Sequence, residues 1–250
     1  GCRPRTCPGS GDAVRLYVVR HADPSHPKDG LTPQGDLEAE ALAQRLAAER
    51  IDRLYCSVTG RSLATAEAVS RRTGLPVEQE RWLNEPGHLR VEQAGRTFMV
   101  WDTFGETVRG LSPLPGHETW QRCRPFDDPA IAAAWKEFTA HCDGMTAAYG
   151  YVREGARYRI ERRSEARVAL VAHNGTVLLF LAHLLALPLP LVWCGFYAWP
   201  ASVTTFHFEE HSDAWAAPRA LCVADTSHLR SAGLEPQPRG MGAGCYEPYR

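Results

Sequence analysis

An arginine and a histidine side by side, Arg20-His21, close the run Leu16-Tyr17-Val18-Val19 and precede Ala22-Asp23-Pro24. One side chain is permanently cationic and the other is nucleophilic when neutral, a pairing suited to chemistry on an anion. The pair alone is equally compatible with a strand end that surfaces beside two polar residues. Two further positions repeat the pattern. Arg61 follows Arg53-Leu54-Tyr55-Cys56-Ser57, and His173 follows Arg167-Val168-Ala169-Leu170-Val171-Ala172. Two guanidiniums offer bidentate donors matched to phosphate oxygens, and helix N-termini nearby would add unpaired N–H groups and positive dipole ends. These types, so placed, point to a bound phosphate.

Buried strands must hold them there. Apolar runs without polar alternation read as strands covered on both faces, and open α/β sheets place ligands at the carboxyl ends of such strands. Thr32-Pro33 predicts an N-cap with proline at the first helical position, opening a helix to about Arg50 with Ala39, Leu42, Ala43 and Leu46 on one face. A second helix opens at or near Arg61 and ends at Arg72, before Gly74. Pro76 to Glu80 reads as a third strand, Val203 to Glu209 and Ala220 to Ala224 as later ones. Thr176 to Leu187 reads as a buried helix stopped by Pro188.

From His88 to about Arg163 the β-α alternation breaks, with Ile131 to Tyr149 helical. The expected fold is therefore a three-layer α/β/α sandwich with a mostly parallel central sheet. A single domain spans 13–230, 86–163 forms a partly helical insertion over the active site, and 1–12 and 231–250 are flexible tails.

At 250 residues and a formal net charge of −1, the chain can bury one sizeable core and has no excess of basic residues for nucleic acid or a membrane surface. Among eight cysteines none forms a CxxC pair, and no Cys/His cluster has zinc spacing. Cys56, Cys194 and Cys222 sit in apolar segments and read as buried thiols, while Cys2, Cys7 and Cys245 leave several pairings open. The first residues lack the apolar core of a signal peptide, and no run reaches membrane-spanning length. A cytoplasmic protein is the expectation.

Val19-Arg20-His21-Ala22, Leu31-Thr32-x-x-Gly35, Ser57-x-x-x-Arg61-x-x-x-Thr65-Ala66 and Ala172-His173-Asn174-Gly175, in this order over roughly residues 14–225, resemble the histidine phosphatase superfamily, the group that includes phosphoglycerate mutases. The glycine of the family's RHG motif is Ala22 here. The resemblance implies that His21 attacks phosphorus and becomes a phosphohistidine, with Arg20, Arg61 and His173 binding the phosphoryl group. It implies a carboxylic acid after the third strand to protonate the leaving oxygen. Glu85 fits that position and Glu80 is the reserve.

Asp29, Thr32, Ser57 and Asn174 are candidate pocket neighbours. His26 lies near an asparagine of relatives, with Pro27 unable to donate beside it. No cofactor or metal is expected, because two arginines and a second histidine fill the electrostatic role. His183, Trp101, Trp120 and Trp135 read as packing residues, and His228 carries no assigned role.

The implied activity is hydrolysis of a small phosphorylated metabolite. A phosphoglycerate-type mutase is the nearest alternative, but the Glu-Arg-x-Tyr-Gly segment of such mutases is missing. A non-catalytic phosphate-binding member of the fold is the other. Residues 86–163 should carry substrate specificity.

Overall fold

The computed structural model describes residues 13–239. The first apolar run forms β1 (Arg15–Arg20), buried at every position after its first. Its side chains divide by parity. Leu16 and Val18 enter one core while Tyr17 and Val19 enter another, as the two-residue period of a strand requires. A small ribbon of β2 (Pro24–Ser25) and β3 (Gly30–Leu31) leads to α1 (Pro33–Ala48). Thr32 caps that helix by accepting the Gly35 N–H at 3.0 Å. Next come β4 (Arg53–Cys56), α2 (Gly60–Thr73) and β5 (Val77–Gln79). Helix α2 stops at Gly74, whose φ of 75° is the left-handed cap that glycine adopts without strain.

The hairpin β6 (Arg90–Gln93) and β7 (Arg96–Met99) precedes a 3-10 turn at Val100–Asp102, the short α3 (Gly105–Arg109) and the long α4 (Pro129–Ala148). A second hairpin, β8 (Tyr151–Glu154) and β9 (Arg157–Ile160), is followed by β10 (Arg167–Ala172), α5 (Asn174–Leu184) and α6 (Leu189–Gly195). The strands β11 (Val203–Glu210) and β12 (Trp215–Asp225) and the short α7 (Ser227–Ser231) complete the elements.

Eight strands form one sheet in the order β5-β4-β10-β1-β11-β12-β9-β8. The first four are parallel, and antiparallel strands continue the sheet beyond β1. Helices α1 and α2 cover one face over Tyr17, Leu42, Leu46, Val69 and Val171. On the other face α4, α5 and α6 close over Leu170, Phe138, Phe180 and Val192. Helix α5 is apolar around its circumference and buried from Gly175 to Leu184, the environment such a helix requires. The three expected layers are present.

Two expectations need correction. Residues 86–163 do not all lie over the site, because β8–β9 joins the main sheet through Trp215 pairing with Arg159, and α4 packs against α5 and β8. The alternating pattern of a half-buried hairpin had no strong apolar run to reveal it. Residues 231–239 are also not a loose tail. Leu234 packs against the cluster of Ala22, Ala39, Ala68, Ala201 and Leu229. Residues 1–12 and 240–250 lie outside the described residues.

The start of α1 presses on the loop after β1. A Cβ built on Gly35 would stand 2.3 Å from the Asp23 carbonyl oxygen, whereas one on Gly144, exposed in α4, meets nothing within 4 Å. Gly35→Ala is expected to cost about 1–3 kcal/mol, as overpacking typically does. By contrast Gly144→Ala should gain about 0.5–1 kcal/mol from helix propensity. Urea unfolding of the two variants checks both signs.

Candidate active site

Because β4, β10 and β1 are adjacent and parallel, their carboxyl ends set Arg61, His173 and His21 side by side. The His21 backbone N–H continues the ladder to Ala172 O at 2.9 Å. Its Nδ1 lies 2.8 Å from the Ala22 carbonyl oxygen. A carbonyl only accepts, so Nδ1 carries the hydrogen and Nε2 keeps its lone pair. That lone pair faces the Nε–H of Arg61 at 3.2 Å. Burial, reinforced by His173 and Arg20, drives the His21 pKa well below the ordinary 6.5. The imidazole is neutral and nucleophilic.

Arg61 ties three groups together. Besides His21, its Nη1 donates to Asp29 Oδ1 at 2.5 Å and its Nη2 to His173 Nδ1 at 3.2 Å. With Nδ1 accepting, His173 carries its hydrogen on Nε2 and donates it to Ser57 Oγ at 2.8 Å. Burial and the two arginines bring the His173 pKa down to about 3. Asp29 feels burial upward, but the Gly60 N–H and Arg61 more than reverse it and hold the carboxyl below its ordinary value. The contact needs a glycine, since a Cβ at position 60 would stand 2.1 Å from Asp29 O.

Arg20, 6 % exposed, donates from Nη1 to Ala198 O and from Nη2 to Arg239 O, each at 2.7 Å. Its guanidinium carbon lies 5.3 Å from the centre of the Tyr197 ring, within cation–π range. Its Nε is buried with no partner among the described residues. Such a donor is costly unless an acceptor arrives.

Glu85 accepts the Gly175 N–H, in the first turn of α5, at 2.8 Å. Burial nevertheless raises its pKa, overriding that hydrogen bond and both arginines. The opposing influences on this carboxyl therefore sum to an upward shift. Asn174 Oδ1 accepts the Ala198 N–H at 3.0 Å.

A cavity of about 760 Å³ opens over this edge. Its floor is Arg20, His21, Arg61 and Glu85, with Thr32, His26 and Asn174 on the walls. Asp29 and Ser57, expected as pocket neighbours, do not line it; they hold Arg61 and His173 from behind. His173 is itself fully buried and meets the cavity only through Arg61 and the His21 ring, whose centroid is 5.1 Å away. Glu80, the reserve acid, faces a separate cavity with Tyr55, Trp82 and Tyr149.

Six cavity residues escaped sequence reading as site residues: Pro24, Ser25, Met99, Trp101, Asp102 and Arg239. Trp101 closes the β6–β7 side by lying on Gly175, where a Cβ would come within 2.7 Å of the indole. Burial, with Glu85 adding repulsion, pushes the Asp102 carboxyl up to about 6. No local pattern marks these residues, because they come from short strands, a single 3-10 turn and a C-terminal coil brought in by tertiary packing.

The remaining histidines and tryptophans pack. His183 pairs with Asp143 at 2.6 Å inside the helical layer. Trp120 and Trp135 meet edge to face, and His228 contacts Arg45 at 3.2 Å. Cys56 is a buried thiol as expected, whereas Cys194 and Cys222 are half-buried, and all three are free. Among the described residues no cluster of three or more His, Cys, Asp or Glu is arranged to hold a metal ion, and no helix is long and apolar enough to cross a membrane.

Comparison with solved structures finds the same fold at low identity. A mutant phosphoserine phosphatase from Entamoeba histolytica, in complex with phosphoserine, is 19% identical, with a TM-score of 0.56 over 86% of this chain and 99% of its own. YhfR of Bacillus stearothermophilus is 20% identical, with a TM-score of 0.56 over 87% and 100% of the two chains. A mycobacterial glucosyl-3-phosphoglycerate phosphatase is 21% identical, with a TM-score of 0.54 over 85% and 99%. No curated protein sequence matches the chain. The sequence profile described as the histidine phosphatase superfamily (branch 1) matches residues 16–218. With that profile spanning most of the domain, the chain belongs to the histidine phosphatase superfamily.

Proposed function

We propose that the protein is a phosphatase that hydrolyses the phosphate monoester of a small metabolite through a phosphohistidine on His21. The observation that carries the reading is the fixed tautomer of His21, Nδ1–H on the Ala22 carbonyl and the Nε2 lone pair facing Arg61 in the cavity.

In the first step Nε2 attacks phosphorus as the bond from phosphorus to the ester oxygen breaks. That oxygen leaves with the proton of the Glu85 carboxyl. The donors of Arg61 and the free Nε–H of Arg20 receive the equatorial oxygens, with His173 behind Arg61. In the second step Glu85, now a carboxylate, takes a proton from water. The resulting oxygen attacks phosphorus, the N–P bond returns its electrons to Nε2, and inorganic phosphate departs. The raised pKa of Glu85 supports its starting as an acid, and the lowered pKa of His21 supports its starting as a base. Specificity is assigned to the Met99–Asp102 wall, the part of the 86–163 stretch that lines the cavity.

Incubation with a ³²P-labelled monoester and alkaline quenching should trap a base-stable, acid-labile phosphoenzyme. Its persistence in His21→Ala protein would sink the mechanism.

The pH dependence has a defined sign. His21 is active when neutral, so its lowered pKa places the acid limb of kcat/KM below 6.5. Glu85 is active when protonated, so activity falls as pH rises through a pKa above the ordinary 4.5. The expected profile is a bell with its acid limb below 6.5 and its basic limb above 4.5, and Glu85→Gln should abolish the basic limb. That variant should also lose a factor of about 10²–10⁴ on alkyl phosphates. It should lose far less on p-nitrophenyl phosphate, whose leaving group departs unprotonated. Equal losses on both substrates would remove Glu85 from the acid role.

A further inference from the structure

We propose that Arg239 is a positioning residue of the phosphoryl site, acting from the C-terminal stretch of the fold through Asp23 and Arg20; this rests on the phosphatase reading above. Asp23 lies two residues beyond His21 and is fully buried. Its Oδ1 accepts Arg239 Nε at 2.6 Å, and its Oδ2 accepts Arg239 Nη2 at 3.1 Å and Thr32 Oγ1 at 2.7 Å. The Asp23 backbone N–H in turn donates to Glu38 Oε2 at 2.9 Å. Glu38 is also fully buried. Two carboxyls are thus sequestered behind the nucleophile's loop, and the Arg239 fork supplies the cation that such burial demands.

The backbone of the same residue faces the site. Arg239 O accepts Arg20 Nη2 at 2.7 Å and the Tyr197 hydroxyl at 2.5 Å. With Ala198 O and the Tyr197 ring, this carbonyl fixes the plane of the Arg20 guanidinium and leaves Nε without a partner among the described residues. One residue therefore does two linked things. Its side chain neutralises the buried Asp23 carboxylate beside the nucleophile's loop, and its carbonyl holds the Arg20 guanidinium at the cavity. Arg20 already feels that region, since its charge lowers the Glu38 pKa against the larger upward effect of burial. Without Arg239 the buried Asp23 carboxylate, three residues along the chain from Arg20, loses its guanidinium partner and becomes an uncompensated charge that competes with the phosphoryl group for Arg20.

Calorimetric titration with orthovanadate, a phosphoryl mimic, reads Arg20 independently of turnover. Arg239→Ala should bind vanadate about tenfold more weakly, the factor one charge-assisted hydrogen bond contributes, and lose kcat/KM through both kcat and KM. Adding Asp23→Asn to Arg239→Ala removes the uncompensated carboxylate and should restore most of the lost affinity, which a merely structural staple would not do. Tyr197→Phe, which removes only the hydroxyl hold on the carbonyl, should weaken vanadate by about two- to fivefold and covers the case in which Arg239→Ala fails to fold. Vanadate affinity within twofold of wild type in Arg239→Ala and Tyr197→Phe overturns the proposal, as does failure of Asp23→Asn to rescue. If the wild-type protein bound vanadate but hydrolysed no monoester, weakened vanadate binding in Arg239→Ala would support the positioning role while refuting the phosphatase reading.

Discussion

The guanidinium of Arg61 is the joint on which the site depends. It reaches His21 after β1, Asp29 before α1 and His173 after β10, so three separate chain segments take their registration from one planar cation. Five fixed N–H donors make arginine suited to this, where a lysine would present a mobile point charge. The joint exists only because Gly60 lets α2 begin against the Asp29 carbonyl. Its anchor also explains why a cation can sit beside two buried imidazoles. Asp29 offsets the charge at the outer edge, and the inner edge faces lone pairs that accept.

Burial is used in opposite senses within a few ångströms. It lowers the pKa of His21 and His173 and raises that of Glu85. Each shift favours the uncharged form, and the permanent charges of the floor are those of Arg20 and Arg61. Asp29 is turned to Arg61 and Asp23 to Arg239, so each of these carboxylates is paired with a guanidinium. That separation of roles is electrostatic preorganisation in its simplest form.

The centre of the parallel half was legible because β1 and β10 are covered on both faces and read as unbroken apolar runs. The Arg and His residues stood out as the abrupt ends of β1, β4 and β10. Thr32 and Gly74 announced helix boundaries by hydrogen bonding and by φ, both local properties. The hairpins β6–β7 and β8–β9 did not stand out, since half-exposed strands rich in arginine carry little contrast. Trp101 read as packing, Asp102 drew no notice, and Arg239 sat in a Gly/Pro-rich stretch that looked structureless. Their roles arise from contacts across large sequence separations, for which a linear pattern holds no signal. Asp29 and Ser57 were singled out for the right neighbourhood, but depth from the cavity is a property of the assembled side chains.

Gly175 carries two unrelated constraints on one residue. Its N–H holds the Glu85 carboxyl, and its bare Cα carries the Trp101 indole. The substrate-facing turn at Val100–Asp102 is thus seated on the same peptide that orients the acid. A shift of that turn is therefore transmitted through Gly175 to the Glu85 carboxyl. In the proposed mechanism, recognition and proton delivery then share one peptide and cannot be varied as independent modules.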